Sequence, residues 1–249
     1  MSEMKLKIRV NTNYIVNVLA FIAMLLIIMG IVVAILLTYT PYKTALGIIP
    51  FFNMDLESTI TSYYSSFILL FSATILSFIA QECKSIENSY WRHWYGLSIG
   101  FLFLSIDESA SIHEFLANVP LHYLNISARI NFSIAILGFI ATLILLLFYF
   151  KFLLYLPAKT RNRFIIAGAM YVSAAFGAEL IGGFISLYSK NLDAGIYLVE
   201  VVIEESFEIV SIVLFIKYLF LYIEENLINT MSIFSSLPER INSEMAAKK

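Results

Sequence analysis

A single cysteine, Cys83, excludes an internal disulfide, and its place in a short connection assigns it no role. Five prolines and ten glycines leave little room for linkers or low-complexity segments. Charge is scarce as well. Charged residues make up 14% of the chain, the net charge is −2, and no basic tract marks a nucleic-acid surface. Gly-rich phosphate loops, nucleotide fingerprints and haem-attaching cysteine pairs are all missing, so no organic cofactor is expected.

Apolar residues are what the chain has in abundance. It is 60% hydrophobic with a mean hydropathy of +0.83, far from the balance of a soluble domain. Six windows, near residues 14–39, 63–82, 94–118, 130–156, 164–188 and 196–223, are long and apolar. Crossing a hydrocarbon core takes about 20 residues of helix. The windows are too long for strands and lack period-2 alternation. The expected fold is therefore all-α: an integral membrane bundle of six transmembrane helices over residues 1–223, followed by a polar cytoplasmic tail over 224–249. Lys5, Lys7 and Arg9 precede the first window, but its apolar run is too long for a signal peptide and reads as a retained anchor.

Lys and Arg set the orientation. Lys5, Lys7, Arg9, Lys84, Arg92, Lys151, Lys159, Arg161, Arg163, Lys217, Arg240, Lys248 and Lys249 fall on one side, and only Lys43, Arg129 and Lys190 on the other. Both termini are thus expected in the cytoplasm, with the protein in the cell membrane. Tyr90, Trp91, Trp94 and Tyr95 suit the inner interface of the third span. Residues 40–62, with Pro41, Gly47, Pro50 and an apolar Ile48–Phe52 stretch, are expected to lie in the outer interface, where they could act as a lid. In the fifth span Ala174, Ala178 and Gly182 form a small-residue stripe with Gly177 and Gly183 alongside, the pattern of close helix packing.

Within the apolar windows stand seven carboxylates with no Lys or Arg beside them: Asp107, Glu108, Glu179, Glu200, Glu204, Glu205 and Glu208. A carboxylate at the bilayer centre costs several kcal/mol, about 2.5–3.5 on insertion scales, so these groups call for a cation or protons. With about 1.5 Å of rise per residue, Asp107, Glu108 and Glu179 lie about 20 Å from the inner side, and Glu204, Glu205 and Glu208 about 12–18 Å below the outer one. Three spans thus bring acids to the outer half of the membrane. On the last span Glu200, Glu204, Glu208 and Ser211 fall within about 80° of one another, with Glu205 about 60° beyond Glu208. Asp107, Ser111 and Glu114 share a face of the third span. His113 points away unless the helix breaks near Ser109–Ser111, and such a break is expected because ionisable residues crowd 107–114. The bland alternatives are hydration of Glu200 and Glu114 at the interface, and a merely buried His113. Adjacent Glu204 and Glu205 resist a bland reading, since both cannot snorkel from mid-helix.

Asp107–Glu114 has the pattern DE-x4-HE and Glu204–Glu208 the pattern EE-x2-E. The pair resembles uncharacterised polytopic membrane proteins of bacteria and archaea that carry both motifs. That resemblance implies one site built from two helices and no particular activity. Better-known patterns do not match. Ala117 stands where a zinc-protease HExxH needs its second His, and Ile209 stands where a CAAX-type protease has Arg. The ferritin-like ExxH is also absent.

Carboxylates with at most one imidazole suit a divalent metal ion such as Mg²⁺, Mn²⁺, Ca²⁺, Fe²⁺ or Zn²⁺. The expected ligands are Asp107, Glu108, His113, Glu114, Glu179, Glu204, Glu205 and Glu208, with Glu108 and Glu205 as candidate catalytic groups. The bilayer is the expected partner, and a site in its outer half suits a metal-dependent enzyme acting on a lipid or lipid-linked substrate. The alternative is a proton- or divalent-cation-coupled transporter or channel, although below Glu208 the stripe offers only Ser211 before Val213–Ile216. A third class is a metal- or pH-sensing interaction protein whose carboxylates titrate together.

Overall fold

The computed structural model describes residues 11–41, 44, 47–112, 130–188 and 194–227, with the backbone alone for 130–137, 178–188 and 194. His113, Glu114 and the expected tail beyond residue 227 lie outside the described residues. Among the described residues there are seven helices and no strand: α1 (Thr12–Tyr39), α2 (Ile48–Phe52), α3 (Ile60–Ser85), α4 (Trp91–Ala110), α5 (Ile130–Tyr155), α6 (Ala158–Tyr188) and α7 (Ala194–Asn226). Four stretches are long and apolar enough to cross a membrane: Thr12–Tyr39, Ile60–Ser85, Gly138–Tyr155 and Gly195–Asn226.

Local chemistry fixes the ends of these helices. The Asn11 side chain accepts from the Tyr14 amide at 3.1 Å and caps α1. α3 opens with a capping box, in which Thr59 Oγ1 accepts from the Ser62 amide and Ser62 Oγ accepts from the Thr59 amide. α4 stops at Ala110, short of the window near 94–118, because Ser111 turns left-handed with φ 51°. Serines favour such ends, since their hydroxyls bond local backbone; Ser109 Oγ donates to the Ile106 carbonyl at 3.2 Å. The break expected near Ser109–Ser111 is therefore present. Cys83 lies within α3, fully buried, rather than in a connection.

α7 runs through the middle of the bundle, packing on α1, α3 and α6. α3 and α4 form a tight antiparallel hairpin, and α5 packs on α6. At the proximal end, where α1 begins and α7 finishes, Thr12 Oγ1 donates to Glu224 at 2.7 Å and Arg163 bonds both oxygens of Glu225 at 3.0 Å. Lys84 and Arg92 approach the Trp91 ring there at 5.1 and 5.2 Å. At the distal end α2 folds back on α1 and α3. Met54 lies over Gly30, where any Cβ would strike its sulfur. Rows of large apolar side chains on α1 (Phe21, Leu25, Ile28, Val32, Ile35) and α5 (Leu143, Leu147, Phe148) face outward. Surfaces of this kind belong in lipid rather than water.

Candidate functional site

α4 meets α5, α6 and α7 through large aromatic side chains in their proximal halves. Trp94 lies 4.8 Å from Tyr222 and 5.0 Å from Phe152 between ring centroids. One layer on, Phe101 stacks on Phe215 at 4.9 Å and Phe164 meets Phe215 at 5.1 Å. These contacts fix the register of α4, α6 and α7 at one height.

Seven residues is about two helical turns, so it returns to nearly the same face one layer higher. From Phe101 that step reaches Glu108, from Phe164 it reaches Tyr171, and from Phe215 it reaches Glu208. The half-buried Tyr171 stands within electrostatic reach of Glu208, Glu108, Glu205 and Asp107, its interaction with Glu208 being the largest. Acids of α4 and α7 are thus both within electrostatic reach of one phenol of α6, with an aromatic floor beneath. Glu108 shares the inward face of Trp94 and Phe101, while Asp107, at about 100° per residue, is turned aside from it.

The column on α7 continues distally through Glu204 and Glu200 to Tyr197. Tyr197 donates its hydroxyl to Asp55 Oδ1 at 2.5 Å and lies within the field of Glu200 and Glu204. The segment after α2 is thereby tied to the top of the carboxylate column. Glu205 occupies a different face, in line with the buried Ile212, Ile216 and Ile223 and turned into the core that α7 shares with α3.

The sequence places Glu179 in the same layer, but the register is more specific. Its backbone lies about 12 Å beyond Tyr171 along α6 at 1.5 Å per residue, the height of Glu200 rather than of Glu208. Its side chain is outside the described residues. Among the described residues no three His, Cys, Asp or Glu side chains stand together closely enough to hold one metal ion. The small-residue stripe of α6 shows no close approach at Gly177, where an added Cβ would meet nothing within 4 Å. An apolar groove of about 260 Å³ lined by Ala23, Met24, Ile27 and Val213 lies across α7 from the acids and takes no part in the site.

Sequence reasoning missed Tyr171 and Asp55. Tyr171 had a legible signal, the seven-residue step from Phe164 that parallels the steps from Phe101 and Phe215. Asp55 had none, because its role depends on how a loop folds back.

The family model described as Domain of unknown function (DUF8692) matches residues 18–223. The chain belongs to this family. The match covers α4 and α6 whole and α7 as far as residue 223. No curated protein and no solved structure matches the chain.

Proposed function

We propose that this DUF8692 protein is a six-span protein of the cell membrane, with both termini cytoplasmic, whose carboxylate layer in the outer half of the bilayer binds a divalent cation. The observation that carries this reading is that Glu208, Glu108 and Glu205 all lie within electrostatic reach of Tyr171, one layer beyond the Phe101, Phe164 and Phe215 rings. Acids gathered on the distal side of these rings suit a cation that arrives from the distal end. The paired motifs DE-x4-HE and EE-x2-E are its two halves, with His113, Glu114 and Glu179 available to complete the ligand set.

A cation held there would polarise a phosphoryl or acyl oxygen of a lipid or lipid-linked substrate, with Glu108 or Glu205 free to act as base. Metal analysis of the purified protein tests the binding. One or two divalent ions per chain, lost in a Glu204→Gln/Glu205→Gln variant, support it, and no bound metal in the wild type counts against it.

A transport reading has one observation in its favour, the column Tyr197–Glu200–Glu204–Glu208 that leads from the distal end to the layer. The aromatic floor opposes it, because conduction needs polar groups below Glu208. Ion flux into liposomes that stops in Glu208→Gln would promote this second reading over the first.

A further inference from the structure

Two hydroxyl groups have no hydrogen-bond partner although their residues are buried: Thr61 Oγ1 and Ser65 Oγ, with Thr61 at 1% and Ser65 at 4% relative exposure. An orphaned buried hydroxyl costs about 1–3 kcal/mol. A helical serine ordinarily avoids this by donating to the carbonyl four residues back. Ser72, on the same face of α3, does so to Ile68 at 2.9 Å. Ser65 does not, although the Thr61 carbonyl stands four residues back, and Thr61, at the second position of α3, has no helical carbonyl behind it.

Their position explains what the free oxygens face. Ser66 and Ser105 bond each other's carbonyls, which places Ser65 beside the last turns of α4 just before Asp107 and Glu108. The Phe101–Phe215 stack sets Glu108 level with Glu208. Thr61 and Ser65 are therefore at the height of Glu205 and Glu208. The direction follows from Cys83, which lies about five turns along α3 from Ser65 on the same face and whose thiol bonds Tyr222 of α7. Thr61, Ser65, Ile68, Ile75 and Ile79 make one buried face, and Glu205 lies on the face of α7 turned toward the core shared with α3.

We infer that Thr61 and Ser65 are neutral oxygen ligands of the cation site, beside Glu205, and that the site takes a hard divalent ion, calcium or magnesium. This rests on the cation reading above and deepens it. Hydroxyl and carboxylate oxygens together form the donor set that hard ions prefer, whereas zinc and copper favour imidazole and thiolate. Unspent hydroxyls at the height of a carboxylate layer are the cost of a site arranged for an ion.

The test uses the full chain in detergent, titrated with Ca²⁺, Mg²⁺ and Zn²⁺ by calorimetry, with thermal unfolding measured in a chelator. Thr61→Val/Ser65→Ala keeps the packing and removes both hydroxyls. The expected result is a calcium or magnesium affinity at least tenfold weaker, with a melting temperature in chelator equal to or above wild type. Thr61→Ser/Ser65→Thr, which keeps both hydroxyls, should retain wild-type affinity. Unchanged affinity in the Val/Ala variant overturns the ligand role while leaving the cation reading intact. Uptake of Zn²⁺ with no Ca²⁺ or Mg²⁺ binding overturns the choice of ion and likewise leaves that reading intact. No binding of any divalent ion by the wild type overturns both. If the Val/Ala variant fails to fold, Ser65→Ala alone carries the same comparison.

Discussion

Ser66 on α3 and Ser105 on α4 are reciprocal partners, each hydroxyl donating to the other's backbone carbonyl, at 2.7 and 2.8 Å. The pair clamps the hairpin two residues before Asp107 and so sets the height at which α4 presents its acids. Hydrogen bonds between helices in lipid contribute about 0.6 kcal/mol on average and up to about 1.7. Ser66→Ala and Ser105→Ala should each destabilise by about that amount, and the double variant by less than their sum. A double-mutant cycle from unfolding in mixed micelles measures the coupling, and strict additivity would dissolve the clamp.

The aromatic floor should act as a seal. Phe215→Ala removes the ring shared by the Phe101 and Phe164 contacts, at a cost of about 3–5 kcal/mol for a buried phenylalanine. In a Ser211→Cys background, a polar maleimide applied from the proximal side should stay excluded until Phe215→Ala is added. Labelling without that second change would mean the layer already opens in that direction.

Tyr171→Phe keeps the ring and removes the phenol oxygen that lies within electrostatic reach of Glu208 and Glu108. Stability should change little, and divalent-ion affinity should fall about tenfold, equivalent to about 1.4 kcal/mol. Calorimetry on matched preparations reads this directly, and an unchanged affinity would leave Tyr171 as packing alone.

The Asp55–Tyr197 hydrogen bond stands at the distal end of the column. Tyr197→Phe should make a Glu204→Cys thiol label several-fold faster from the distal side, with fold stability lowered by about 0.5–1.5 kcal/mol. Equal rates with and without the hydroxyl would show that the strap does not limit access.

At the other end, the Arg163–Glu225 pair has side chains 26% and 39% exposed, so solvent screens it. Arg163→Gln should cost only about 0.2–1 kcal/mol, and the difference should shrink in high salt. A larger, salt-insensitive loss in thermal unfolding would assign the pair a structural role.

Much of this architecture was legible in the sequence because hydropathy and helix geometry act locally. The first, second, fourth and last windows each coincide with a long apolar helix to within a few residues, and the crowd of polar groups at 107–114 announced the end of α4. Tyr171, Thr61, Ser65 and Asp55 were less accessible for a common reason. A tyrosine, threonine or serine in a span is ordinary, and each gains significance only through the register of another helix. That register is set by aromatic stacks and by the Ser66–Ser105 clamp, which couple positions far apart in sequence.

The central position of α7 has a consequence for how the protein is made. It is the last of the described helices to leave the ribosome, yet α1, α3 and α6 all pack on it. Until it inserts, the earlier helices hold half an interior between them, with the serine-bearing face of α3 turned to lipid or to whatever occupies the vacancy. The helix that completes the core also brings Glu204, Glu205 and Glu208, so the most costly residues to place in a membrane enter when their surroundings are already assembled. Synthesis in this order holds back four of the seven acids until the bundle can receive them, while Asp107, Glu108 and Glu179 arrive earlier.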